Sequence, residues 1–201
     1  MTTAVAFKPH GSKAVAEALV DAATELFAAR GPAAVSIREV AARAGVNHGL
    51  VHRHFGSKQA LLAAVVEKLT WELAAETINV PRRGRIGARA FRATQRQGAY
   101  WRILAHTLLE GQNLAEVQRN FPVMARLIAA VERGQMAGRF DALLDPRAIA
   151  AVGVSLSLGW LLFEPFLLAA TGLEQETPRR RHRQLAAVWR RLERSLRPRA
   201  G

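Results

Sequence analysis

The chain has 201 residues, half of them apolar and 22% charged, long enough to bury a core without cross-links and too apolar to remain disordered. It contains no Cys, which excludes thiolate catalysis, Cys-ligated zinc and a disulfide framework. Its 29 Lys and Arg against 16 Asp and Glu give a formal charge of +13 and make polyanions the first partners to expect.

The charge is unevenly placed. Residues 1–80 carry 8 Lys and Arg with 7 acids, whereas residues 81–201 carry 21 with 9. The excess concentrates between Arg82 and Arg102 and between Arg179 and Arg199. Lys8, Pro9, His10 and Gly11 interrupt any apolar run of signal-peptide length after Met1, so a cytoplasmic location is expected.

Apolar residues recur at helical spacing along nearly the whole chain, and no stretch sustains the alternation of strands. An all-α fold is expected. The first helix runs from an N-cap at Ser12 through Val15, Leu19, Ala22, Leu26 and Phe27 to a stop at Gly31-Pro32. A short second helix begins at Ser36, with Glu39 at the capping-box position, and ends at Gly45. Asn47 caps a third that reaches Phe55, so two short helices flank the tight turn Ala44-Gly45-Val46. A fourth starts at Ser57, buries Leu61, Leu62, Val65, Val66, Leu69 and Leu73, and stops near Pro81. Further helices are expected near 85–98, 99–110, 121–137, 146–171 and 178–196, the last two announced by Asp145-Pro146 and Thr177-Pro178.

The third helix carries the chemistry. At about 100° per residue, His48, Gly49, His52 and Arg53 share one face, while Leu50, Val51 and His54 turn toward the first two helices. A thin backbone at Gly49 beside His and Arg side chains suits entry into a major groove, where those groups reach base edges and phosphates. This is a helix-turn-helix, with 36–44 positioning and 47–55 reading.

The run from Ser36 to Leu62, with Ala44-Gly45-Val46, His54-Phe55, Lys58 and Leu61-Leu62, resembles the N-terminal domain of the TetR family of transcriptional regulators. The likeness covers roughly the first 75 residues. It implies that Ser36 and Lys58 hold phosphates and that Arg38, His48 and Gly49 approach bases. Asn47, Arg53 and His54 complete the expected DNA-binding set. His52 stands where the family usually has a phosphate-binding Tyr, and Leu50 replaces a commonly small or polar residue. The resemblance divides the chain into a helix-turn-helix DNA-binding domain, 1–56, and a helical ligand-binding and dimerisation domain, 57–201.

In that second domain Trp71, Tyr100, Trp101, Leu104, Met124, Trp160 and Phe163 are the candidate pocket residues, some lining a cavity and the others ordinary core. By resemblance the last two helices build a four-helix dimer interface, to which Leu167, Leu185, Val188, Trp189 and Leu192 are assigned. The alternative for these helices is closure of a monomer core. Residues 148–173 are apolar enough to cross a bilayer, but a helix hydrophobic all round also suits a buried dimer core, and no membrane partner is expected. His48 and His52 lie one turn apart, yet no acid stands between Glu39 and Glu67 to complete a metal site. No metal, cofactor or catalytic residue is expected. The Arg-rich stretches read as solvated faces, with a second nucleic-acid surface, an acidic-ligand site or a partner contact as sharper alternatives.

The function expected is a homodimeric, ligand-responsive regulator. Two heads would bind a near-palindromic double-stranded operator as a repressor until a small, largely apolar effector releases it, and the protein is not an enzyme. The alternative is a helical ligand-binding or interaction protein without specific DNA reading.

Overall fold

The computed structural model describes residues 11–78, 96–118 and 120–198. Among them are nine α-helices, one 3-10 turn and no strand. The helices are α1 (Ser12–Arg30), α2 (Ile37–Arg43), α3 (Gly49–Phe55), α4 (Lys58–Ile78), α5 (Gly98–Leu109), α6 (Leu114–Val117), α7 (Pro122–Met136), α8 (Pro146–Thr171) and α9 (Pro178–Ser195). The helix expected near 85–98 falls almost wholly outside the described residues, as does the stop at Pro81.

The chain divides into two compact units, Met1–Trp71 with Ala99–Asn120 and Glu72–Gly98 with Phe121–Gly201. This division does not follow chain order: α5 stands with α1, α2 and α3 although it lies far beyond residue 56.

In the first unit α1 packs against α2 and α3. Leu19, Ala23 and Phe27 of α1, Val40 and Ala41 of α2, Val51 of α3 and Leu61, Leu62, Val65 and Val66 of α4 are all buried. From α5 come Tyr100, Trp101, Ile103, Leu104 and Thr107. Ser12 is the first helical residue rather than the cap, and Gly11 occupies the cap position without a side-chain bond. Ser36 does cap α2: Glu39 N–H donates to Ser36 Oγ (3.2 Å) and Ser36 N–H donates to Glu39 Oε2 (2.8 Å). That backbone donor, reinforced by Arg30, holds the Glu39 carboxyl down at about 2. Ser57 Oγ accepts from Ala60 N–H (3.1 Å) and starts α4.

In the second unit α7 packs along α8. Asp145 caps α8 by accepting from Arg147 N–H (2.8 Å), with Pro146 in the first turn, and Gly172 ends it in the left-handed conformation at φ 71°. Thr177 caps α9. Asp141 N–H donates to the Leu196 carbonyl (2.8 Å), tying the end of α9 to the loop after α7. No residue of α9 is buried.

Candidate nucleic-acid interface

The reading helix begins one residue later than the sequence suggests. Asn47 Oδ1 still accepts from Gly49 N–H (2.8 Å), so its side chain organises the first turn. Val51 is fully buried and anchors α3 to the unit, Leu50 and His54 are half-buried, and Asn47, His48, Gly49, His52 and Arg53 are exposed. Ser36 and Arg38 are exposed at the start of α2. Lys58 is half-buried, and its ammonium donates to the Ala33 carbonyl (3.3 Å). The His54 ring lies beside Phe55, with centroids 6.3 Å apart.

His52 differs from what side-chain type alone suggests. Its Nδ1 lies 3.1 Å from the Gly56 carbonyl. A carbonyl only accepts, so Nδ1 carries the proton there, and in the neutral ring Nε2 is left as an acceptor.

The modest net charge of the first 80 residues conceals a one-signed face. No acid occurs from residue 40 to residue 66. Glu25 pairs with Arg43, Glu39 with Arg30 and Asp21 with Lys68. Carboxylates of α1 and α2 are thus neutralised by neighbours, and α3 presents only neutral or basic groups. Among the described residues no cluster of three metal-ligating side chains occurs.

Residues 19–65 match the family described as bacterial regulatory proteins, tetR family. The HTH-type transcriptional repressor Rv3405c of Mycobacterium tuberculosis is 43% identical over 169 residues, 84% of each chain. The chain belongs to the TetR family. A second relative, the HTH-type transcriptional regulator BetI of Rhizobium meliloti, is 44% identical over 57 residues, 28% of each chain. Among solved structures, the putative transcriptional regulator SCO4942 of Streptomyces coelicolor aligns with a TM-score of 0.69 at 23% identity, covering 88% of this chain and 96% of that one. A TetR regulatory protein of Mycobacterium vanbaalenii aligns at 0.54 and 25% identity, covering 77% and 95%. Like its relatives, this TetR regulator is a transcriptional regulator and not an enzyme; regulators of the family bind operator DNA and act as dimers.

The second unit of this TetR regulator contains a cavity of about 360 Å³ walled by Leu127 and Val131 of α7, Phe140 and Leu144 of the following loop, Ile149 and Leu156 of α8, and Trp189 and Leu192 of α9. None of the seven candidate pocket residues lines it. Trp71, Tyr100, Trp101 and Leu104 belong to the first unit, and Met124, Trp160 and Phe163 to the second. Trp71 is 58% exposed and Phe163 59%, whereas Tyr100, Trp101 and Leu104 are core. The Tyr100 hydroxyl donates to Gln118 Oε1 (3.0 Å), and burial pushes it above the usual phenol range.

Of the interface candidates, Val188 and Leu192 are exposed and Leu167, Leu185 and Trp189 half-buried. Trp189 and Leu192 also line the cavity. Val152, Leu156, Leu162 and Phe166 of α8 are exposed as well, residues not among the interface candidates. The signal was present: Val152, Leu156 and Phe163 recur at the spacing of one helical face.

Proposed function

We propose that this regulator is a cytoplasmic homodimeric repressor whose two reading helices enter successive major grooves of a near-palindromic operator. The observation that carries this reading is α3: a buried Val51 fixes a short helix whose outer face holds Gly49, His52 and Arg53 and no carboxylate. In this reading Ser36 and Lys58 hold phosphates, Arg38, His48 and Gly49 approach bases, and Asn47, Arg53 and His54 border the contact. The two α3 helices must lie about 34–36 Å apart, or a multiple of that. The naming of the Mycobacterium tuberculosis relative as a repressor supports the direction of regulation.

The effector of this reading is small and largely apolar, and the cavity walled by α7, α8 and α9 is its proposed site. A ligand preferring a dimer with the wrong head spacing lowers operator affinity by its differential binding to the two states. Mobility shift with fragmented genomic DNA at fixed salt tests the proposal. Selective retention of a few fragments, weakened by Lys58→Ala and His48→Ala, is expected. Equal retention of all fragments would instead identify a protein that does not read sequence.

A further inference from the structure

The loop between α1 and α2 delivers Ser36 to the proposed phosphate edge, and α5 brackets that loop from behind. A Cβ at Gly31 would lie 2.5 Å from Glu110 Oε1 and 2.8 Å from His106 Nδ1, so the approach requires a residue without a side chain. Gly31 also has φ +82°, which L side chains rarely adopt. Two residues on, Ala33 N–H donates to Glu110 Oε2 (3.1 Å). Gln112 Nε2 donates to the same oxygen (2.9 Å). The Ala33 carbonyl accepts from Lys58 Nζ (3.3 Å). One residue therefore joins Glu110 on its N–H side to Lys58 on its carbonyl side.

The local energetics of α5 do not explain a carboxylate at this position. Glu110 immediately follows the C-terminal residue of α5, where the helix dipole disfavours negative charge. Its bond to Ala33, across a sequence separation of 77 residues, supplies the compensating contact.

We infer that Glu110 is a positioning residue for DNA binding. Its carboxylate fixes Ala33, the Ala33 carbonyl holds one of the three ammonium donors of Lys58, and two donors remain for a phosphate. A Lys head on a flexible four-carbon stem gains most from such ordering, because the entropy of fixing it is then lost before DNA arrives. The inference rests on the reading of Lys58 as a phosphate ligand. It extends the DNA-binding machinery to α5, outside the segment 19–65 that matches the family.

The test is fluorescence anisotropy with a labelled duplex that the wild-type protein retains from fragmented genomic DNA, titrated with salt. Lys58→Ala is expected to flatten the logarithmic salt slope by about one. Glu110→Ala is expected to weaken binding about 3- to 10-fold and to flatten the slope in the same direction. Glu110→Gln keeps an oxygen for Ala33 N–H and is expected to stay within about twofold of wild type. In a Lys58→Ala background Glu110→Ala should add almost nothing, since the two act through one contact chain. Equal losses with and without Lys58, or a wild-type slope in Glu110→Ala, would overturn the inference while leaving the Lys58 reading intact. An unchanged slope in Lys58→Ala would sink the phosphate assignment itself, and the positioning role with it.

Discussion

On the proposed reading face, His52 Nδ1 lies 3.1 Å from the Gly56 carbonyl, which aims the other ring nitrogen outward, where the family resemblance places a phosphate. His52→Ala is expected to weaken operator binding about 3- to 10-fold, measured by anisotropy at constant ionic strength. Unchanged affinity would remove His52 from the proposed phosphate contacts. Glu39 shapes the same face from the start of α2. Its folded carboxyl is held at about 2, below the ordinary 4.5, by Ser36 N–H and Arg30, so its contribution to stability is full above about 4.5 and lost as pH falls through about 2. A carboxyl NMR titration of Glu39, with loss of the Ser36 amide signal in the same range, checks this. The Ser36 and Glu39 box was legible in the sequence because both halves lie within one turn. The His52 bond was not, since it depends on a backbone turn at Gly56 with φ 75°.

Helical periodicity with the Asp145-Pro146 start placed α8 at both ends, and the structure closes it at Gly172. It missed α6, whose four residues are too few to show a period. The stripe of Tyr100, Ile103, Leu104 and Thr107 reveals that α5 is buried but not against what, and α5 stands in one unit with α1, α2 and α3. The cavity wall was equally hidden, being made where a glycine of α7 meets a ring from the next loop. A Cβ at Gly134 would fall 2.4 Å from Phe140 Cδ2, and Phe140 lines the cavity. Gly134→Ala must therefore displace the ring, at about 1–3 kcal/mol for overpacking. Urea unfolding should show a lower midpoint at unchanged slope. Binding of an apolar fluorescent probe to the second unit should weaken as the wall moves. A probe affinity equal to wild type would show that the cavity walled by Phe140 is not the ligand site.

At the scale of the whole molecule the apolar surface and the arginines divide α9 between them. Val188 is 61% exposed and Phe166 of α8 68%, and Val152, Leu156, Leu162, Phe163 and Leu192 are exposed as well; exposed apolar side chains of this size fit the association face of the proposed homodimer. α8 is apolar and long enough to cross a bilayer by length and composition; the proposed homodimer would cover the same surface. Phe163→Asp with Val188→Glu should shift the protein from dimer to monomer at micromolar concentration in analytical ultracentrifugation, and operator affinity should fall as the heads lose their linkage. On α9, Arg179, Arg183, Arg190 and Arg194 fall on one face, roughly opposite Val188 and Leu192 at about 100° per residue. A partner seated on the apolar face leaves these arginines pointing away from it. Charges beyond about 10 Å are largely screened at 0.1 M salt, so the salt slope counts only cations that touch phosphate, at about 0.9 each. Replacing all four by Gln should therefore leave the dimer and the operator salt slope unchanged, whereas Lys58→Ala alone lowers the slope by about one. A fall of several units in the four-arginine variant would mean that α9 itself lies against DNA, and the C-terminal charge would then be a second nucleic-acid surface rather than a solvated face.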